Sequence, residues 1–102
     1  MNFVVHPKAL LDYDEILAHL EEVLMTAADR FEAGFKDALQ KALNNPFHFH
    51  FANRSRLVRR ANIKKFSRHF LYSVDESQSL IRVLAFKHDH QHPDYGFDRE
   101  CS

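Results

Sequence analysis

The stretch that decides the fold runs from Arg59 to Tyr95 and reads RRANIKKFSRHFLYSVDESQSLIRVLAFKHDHQHPDY. Aromatic and polar residues alternate over Lys65–Val74, and Leu80–Phe86 is the most apolar run of the chain. Polar residues typical of reverse turns occupy positions 75–79 between the two runs. These patterns predict two antiparallel strands joined by a tight turn. A further strand is predicted over Arg54–Ile63, which extends the pair into an antiparallel meander.

In the strand predicted over Lys65–Val74, alternate side chains point to opposite faces of the sheet. Phe66, Phe70 and Tyr72 share one face, and we predict that this aromatic face belongs to the core. His69 and Leu71 lie on the other face. We predict that His69 is exposed.

The residues before this stretch are predicted to pack against the sheet. Phe3–Val5 predicts a short first strand, and Pro7 suits the first turn of a helix because it lacks an amide proton. Leucines and isoleucine at three-four spacing predict a helix from Lys8 to about Met25. Its acidic residues, Asp12 among them, are predicted to face solvent. The predicted apolar face comprises Leu10, Leu11, Ile16, Leu17, Leu20, Val23 and Leu24.

A second helix is predicted after Thr26, and the Asn44-Asn45-Pro46 sequence should end it. Because the link between the helices is so short, they are expected to run antiparallel on one face of the sheet. The sequence therefore predicts an α+β fold in a single domain over residues 1–102. That fold has a short N-terminal strand and a two-helix hairpin packed on a small antiparallel sheet.

The run Phe47–Phe51 alternates phenylalanine with histidine and predicts an extended strand. In one interpretation, the three phenylalanines are buried against the pair of helices. The other assigns His48 and His50 to metal or substrate binding. The residues themselves leave both open.

Charge is distributed unevenly along a chain whose formal net charge is zero. The balance is −5 over residues 1–37, +8 over residues 38–74 and −3 over residues 75–102. An overall balance of zero excludes a wholly basic nucleic-acid binder, but the middle block can face an anionic partner. That partner is either a nucleic acid or an acidic protein.

One cysteine, no leader-like N-terminus and no apolar run long enough to cross a bilayer predict a cytoplasmic protein without membrane contact. The FDRECS tail after Gly96 is predicted to be loosely held.

Several short pieces of the sequence, taken in their order, resemble one known family. In that order the chain is similar to the RelE/ParE superfamily of bacterial toxins, the toxin halves of type II toxin–antitoxin pairs, often labelled plasmid stabilisation proteins. The matching pieces are Asn45-Pro46, Arg60, Lys64-Lys65-Phe66, Tyr72-Ser73-Val74, Ile81–Ala85, His88, Pro93-Asp94-Tyr95 and Arg99.

The resemblance implies three alternative functions. A ParE-like toxin would inhibit growth by binding DNA gyrase, without hydrolysis of its own. A RelE-like toxin would enter the ribosome and cut messenger RNA, and only this mode makes the protein an enzyme. An attenuated relative would do no more than bind an antitoxin-like partner. The resemblance also implies an acidic antitoxin as partner and no cofactor, and the edge of a short sheet would permit a homodimer.

RNA cleavage by the neighbouring 2′-hydroxyl needs a base, a cation and an acid. An imidazole titrates near neutrality, and His88 ends the last predicted strand, where the resemblance implies a functional residue. Tyr95 is of a type that stacks on bases. Basic side chains on a sheet also commonly form a solvated face, and that interpretation stays open. The catalytic candidates are His88, Lys65, Arg68 and Tyr95, and the candidates for nucleic-acid or target contacts are Arg56, Arg59, Arg60 and Lys64.

Four positions depart from the pattern of the family. Ser67-Arg68 replaces Pro-Tyr, Gln91 replaces an arginine, and Gly96 replaces a tryptophan. The segment 88–92 carries three alternating histidines, but histidines in one line make a poor tetrahedral set. We therefore predict no metal site.

Overall fold

A mixed four-stranded sheet carries two helices on one face in the computed structural model, which describes residues 1–52 and 57–101. The α+β class, the short first strand and the two helices are thereby confirmed. The strands are β1 (Asn2–Val5), β2 (Val58–Ile63), β3 (Arg68–Asp75) and β4 (Leu80–His88); the helices are α1 (Pro7–Val23) and α2 (Met25–Asn44); and single 3-10 turns span Glu76–Gln78 and Phe97–Cys101.

The helices form an antiparallel hairpin, as predicted. Leu24 alone separates them, and Tyr13 and Phe35, which are equally distant from Leu24 along the chain, bring their rings within 5.6 Å. Pro7 opens α1, and Nδ1 of His6 accepts a hydrogen bond from the backbone N–H of Lys8 at 3.1 Å. A prolyl first turn needs no amide partner, so this start follows directly from the sequence.

The buried side of α1 differs from the prediction. Leu11 is 63% exposed, whereas Asp12, which was predicted to face solvent, is buried. The reason is tertiary, since Asp12 is the partner of a buried arginine described below. Leu10, Val23 and Leu24 of the predicted apolar face are also exposed, whereas Ile16, Leu17 and Leu20 pack against the core.

The strand order is β1-β4-β3-β2, with β2, β3 and β4 in the predicted antiparallel meander. The expectation of a purely antiparallel sheet is wrong, because β1 runs parallel to β4 with Val5 opposite Val83. Parallel pairing requires a long connection rather than a turn. The two helices and the other strands supply that connection.

Both faces of the sheet are covered. Phe70 and Tyr72 lie in the helix-side core, as predicted, and Leu71 packs in a second cluster with Leu84 on the opposite face. Leu84 is the extra residue of a bulge, since Leu71 pairs with Ala85 and Tyr72 with Val83. The second cluster exists because the chain after β4 folds back over that face.

This covering overturns two predictions. His69 is only 3% exposed rather than solvent-facing. The tail is not loosely held, since Phe97–Cys101 forms a 3-10 turn whose Arg99 side chain is buried. Gly96 allows the tail to lie directly against β4, because its φ is +89° and a Cβ there would lie 2.6 Å from Ala85 Cβ.

The predicted strand over Phe47–Phe51 is a turn, apart from one bridge between Phe51 and Arg59. The side-chain Oδ1 of Asn45 accepts a hydrogen bond from Phe47 N–H at 3.2 Å, which bends the chain after α2. Only Phe49 of the three phenylalanines packs against the core. His48 and His50 are exposed.

The strand predicted over Arg54–Ile63 corresponds to β2, which spans Val58–Ile63. Residues 54–56 of that prediction lie outside the described residues. No helix in the described part of the chain is long and apolar enough to cross a membrane.

Candidate functional site

A cleft of about 280 Å³ opens between α1 and the end of the β3–β4 hairpin. We call it the Arg68 cleft. Three of the four predicted catalytic residues line it, together with side chains from α1 that the sequence did not single out. The lining residues are Asp12, Glu15, Ile16, His19, Arg68, Phe86, His88, Gln91 and Tyr95.

Arg68 and His88 meet because they are directly opposite each other in the sheet. Arg68 begins β3, His88 ends β4, and the two are register partners. Both lie on the same side of the sheet as Phe86, which faces the helices. The hairpin thus presents a guanidinium and an imidazole side by side at the mouth of the cleft.

Arg68 is half-buried, and its side chain has no ion-pair partner among the described residues. Its Nε is buried and has no hydrogen-bonding partner among them. Burying a donor of a charged group without a partner is unfavourable by about 1–3 kcal/mol. Such a guanidinium suits an anionic ligand that completes its hydrogen bonds.

His88 is held by its neighbours in the following turn. Its Nδ1 accepts a hydrogen bond from His90 N–H at 3.1 Å, and Oε1 of Gln91 accepts one from His88 N–H at 3.2 Å. The first of these bonds orients the ring, whose Nε2 has no hydrogen-bonding partner among the described residues. Gln91 therefore caps the end of β4.

Tyr95 and Asp12 close the inner end of the cleft in a buried network with Arg99. Asp12 Oδ1 accepts from the Tyr95 hydroxyl at 2.5 Å, and Asp12 Oδ2 accepts from Arg99 Nη1 at 2.6 Å and from Phe86 N–H at 3.2 Å. Arg99 also donates to the Leu84 carbonyl at 3.0 Å and to the Tyr95 oxygen at 2.9 Å. The Asp12–Arg99 pair thus satisfies the edge of β4 beyond the point where β1 ends.

The titration of this network follows from its geometry. Burial and the hydrogen bond to Asp12 raise the pKa of Tyr95. Burial opposes the charge of Arg99, but the hydrogen bonds with Asp12 and Tyr95 outweigh it and raise the pKa of Arg99. The phenol stays protonated and the guanidinium charged at neutral pH. The Tyr95 hydroxyl is already engaged, and its predicted role in catalysis stays a prediction.

The fourth catalytic candidate, Lys65, lies away from the cleft. Together with Lys64 it lines a separate groove beside α2. The β2–β3 turn carries both lysines, whereas the cleft is built where the β3–β4 hairpin meets α1. The sequence placed these residues close together in the chain, but the sheet separates them.

The predicted contact residues are also dispersed. The guanidinium of Arg59 lies 4.0 Å from the centre of the Phe51 ring and donates to the Phe49 carbonyl at 2.7 Å, so it pins the turn after α2. Arg60 lies on the opposite face of the sheet and pairs with Asp89 at 3.3 Å. Arg56 lies outside the described residues.

That opposite face holds a second group of titratable side chains, which the sequence did not predict. His69 and Lys87 are register partners and both are buried. Nδ1 of His69 lies 2.8 Å from Asp89 Oδ1, and Lys87 Nζ donates to the Pro93 carbonyl at 3.0 Å. The alternation of β3 places His69 on this face, but only the fold of the tail reveals that the face is covered.

Burial sets the charge of this second group. It lowers the pKa of His69, against the opposing effect of the hydrogen bond to Asp89. It also lowers the pKa of Lys87, with a further contribution from the nearby Arg60. Asp89, whose N–H donates to the Ser67 carbonyl at 2.9 Å, ties the turn after β4 to the start of β3. The group therefore stabilises the turn that follows His88 and contains Gln91.

Within residues 1–52 and 57–101, no group of three or more histidine, cysteine or acidic side chains is arranged to hold a metal ion. Glu15 and His19 of the cleft were missed because the helical pattern assigns them only to the polar side of α1. Nothing in that pattern shows what the polar side faces.

No protein-family model matches this chain, and no curated protein is similar to it. The resemblance to the RelE/ParE toxins therefore rests on the residues quoted from the sequence. The function that the resemblance implies is a proposal.

Proposed function

We propose that this protein is the toxin half of a type II toxin–antitoxin pair of the RelE/ParE kind, and that it cleaves messenger RNA through the Arg68 cleft. The order of strand, helical hairpin and β-meander supports the assignment. The observation that carries the proposal is Arg68, a half-buried cation without an anionic partner in the described residues, opposite an exposed histidine.

The chemistry uses side chains that line one cleft. Arg68 holds the scissile phosphate and stabilises its developing negative charge. Glu15 accepts the proton of the 2′-hydroxyl as its oxygen bonds to phosphorus. His88 gives its Nε2 proton to the 5′-oxygen as the bond from phosphorus to that oxygen breaks, and for this step the ring takes up a proton at Nδ1 and releases its hydrogen bond from His90 N–H. The products are a 2′,3′-cyclic phosphate and a 5′-hydroxyl end.

A gyrase-binding toxin of the ParE kind is the second candidate. The groove that contains Lys64 and Lys65 favours it, because a binding toxin needs a docking surface rather than an acid and a base. In the third, attenuated candidate the chain binds only an antitoxin-like partner. It is favoured by Gln91, which caps a strand where the family pattern has a cation.

Tightly induced expression in bacteria tests the toxin proposal. We expect growth arrest with cleaved messenger RNA for the wild type, and a loss of cleavage of about 100-fold or more for Arg68→Gln and His88→Ala. Arg82→Gln is the matched control, since Arg82 lies on β4 outside the cleft and pairs with Asp75 at 3.4 Å. Arrest with altered DNA supercoiling and intact messenger RNA would favour the gyrase mode. Normal growth at high expression would contradict both modes.

A further inference from the structure

An open groove of about 550 Å³ lies between α2 and the turn that joins β2 to β3. It shares no lining residue with the Arg68 cleft. On α2, the lining residues Ala27, Arg30, Gly34 and Asp37 recur at spacings of three and four, and Ala33 lies beside Gly34. The groove extends from this wall to Phe66 at the turn.

The floor of the groove is apolar and firmly supported. The half-buried Phe66 ring meets Phe31 of the core edge to face, with ring centres 5.3 Å apart. At Gly34 the helix lies close to the sheet, since a Cβ there would lie 3.0 Å from Ile63 Cγ2. An inserted apolar side chain would therefore meet a surface that is already packed from below.

The rim is positively charged. Arg30 from α2 and Lys64 and Lys65 from the turn are exposed, and none has an ion-pair partner among the described residues. The single carboxylate in the lining is Asp37, which lies 3.2 Å from Lys41 on the next turn of the helix. The net charge around the groove thus favours an acidic ligand.

Lys65 adds an independent observation. Its φ of +68° lies in the left-handed region, which disfavours side chains other than glycine and asparagine. The turn would be more relaxed with glycine. A lysine held there at a conformational cost points to a role for its charge rather than for the turn.

We propose that this groove docks an acidic segment of a partner protein, with carboxylates on Arg30, Lys64 and Lys65 and an apolar side chain over Phe66. A nucleic acid fits less well, because single-stranded sites combine cations with open aromatic faces for stacking. Here the aromatic ring is half-buried beside small aliphatic residues. Docking of this kind would hold whether or not the chain is a toxin.

Selection from a display library of random peptides of about 16 residues, roughly four helical turns, tests the proposal with the full chain as bait. We expect the enriched peptides to be net acidic with at least one large apolar residue. In nuclear magnetic resonance spectra they should shift the backbone signals of Gly34, Lys65 and Phe66. Failure to enrich any binder, enrichment of neutral or basic peptides, or shifts confined to other surfaces would overturn the proposal. Stronger shifts of the same signals by oligouridine would overturn it in favour of nucleic acid.

Lys65→Gly separates binding from folding. Relief of the left-handed strain should raise the melting temperature by about 4 °C, while loss of the cation should weaken the selected peptides about fivefold. Lys36→Gln is the matched control. Lys36 is an exposed lysine on α2, which forms one wall of the groove, but it does not line the groove. Peptide affinity that is unchanged in Lys65→Gly, or that falls equally in Lys36→Gln, would contradict a docking role.

Discussion

Two arginines withdrawn from solvent are treated in opposite ways by the fold. Arg99 is 8% exposed and meets a carboxylate, a carbonyl and a phenolic oxygen within 3.0 Å. Arg68 is half-buried, and its Nε has no partner among the described residues. Both residues lie near the same cleft, and Tyr95 connects the two environments.

This difference indicates that the charge of Arg99 stabilises the fold, whereas the charge of Arg68 is available to a ligand. Arg99 joins the C-terminal turn to α1 and to the edge of β4, so its loss affects three parts of the molecule at once. The Arg68 side chain makes no hydrogen bond or ion pair with the described residues. A cation that the fold leaves unsatisfied is a candidate for binding, because a ligand can recover what folding did not provide.

The largest effect is expected from breaking the paired side of this comparison. Asp12→Ala removes the carboxylate that accepts from the buried Arg99 guanidinium, from the Phe86 N–H and from the Tyr95 O–H. We expect the free energy of unfolding to fall by about 3–5 kcal/mol, measured by urea denaturation.

The neighbouring Asp14→Ala provides the control for this measurement, because Asp14 is exposed. It should change stability by no more than about 0.5 kcal/mol. A double variant, Asp12→Leu with Arg99→Met, removes both charges and should recover much of the loss. Equal effects of Asp12→Ala and Asp14→Ala would show that the buried pair does not hold the tail.

Gly96→Ala should be the next most damaging change. The backbone is left-handed there, and the added Cβ would lie 2.6 Å from Ala85 Cβ, so the tail that carries Arg99 must shift. We expect a loss of about 2 kcal/mol or more by thermal or chemical unfolding.

Gly34→Ala is the comparison for Gly96→Ala. Its added Cβ meets the end of the Ile63 side chain at 3.0 Å, and alanine favours the helix by about 1 kcal/mol. A change within about 1 kcal/mol is expected at Gly34. If Gly96→Ala were equally mild, the close contact of the tail with β4 would be refuted.

A smaller effect concerns pH and the second titratable group. Burial holds the pKa of His69 below its usual value of 6.5, the nearby cations Arg60 and Lys87 lower it further, and Asp89, which faces the ring, acts in the opposite direction. The unfolded chain therefore binds a proton more readily than the folded one. Stability contributed by neutral His69 is complete above about pH 6.5 and is lost as pH falls below it.

Urea unfolding between about pH 8 and pH 5 measures this contribution, which cannot exceed about 1.4 kcal/mol per pH unit for one proton. His69→Gln should flatten the profile in that range. A wild-type profile that falls no more steeply than the profile of the variant would show that His69 does not sense pH.

Much of the fold could be predicted because its signals are local. Pro7 and Asn45-Pro46 mark helix boundaries, and the alternation from Phe70 to Tyr72 identifies the core face of β3. Each of these depends on neighbouring residues. The parallel pairing of β1, by contrast, depends on a strand near the other end of the chain.

The candidate site was predictable only in part, because some of its residues come from distant parts of the chain. Arg68 and His88 could be paired because one hairpin carries both. Lys65 was grouped with them through its proximity in sequence but lines another groove, and Glu15 was missed because it comes from a distant helix. The burial of Asp12 required knowledge of Arg99, a partner that no local pattern can supply.

The most direct test of the comparison measures Arg68→Gln and Arg99→Gln side by side. Urea unfolding of each variant reports what each arginine contributes to the fold. We predict that Arg99→Gln lowers the free energy of unfolding by about 3 kcal/mol or more, and that Arg68→Gln leaves it unchanged within about 0.5 kcal/mol or raises it. Comparable losses for the two variants would contradict the claim that Arg68 is held for a ligand rather than for the fold.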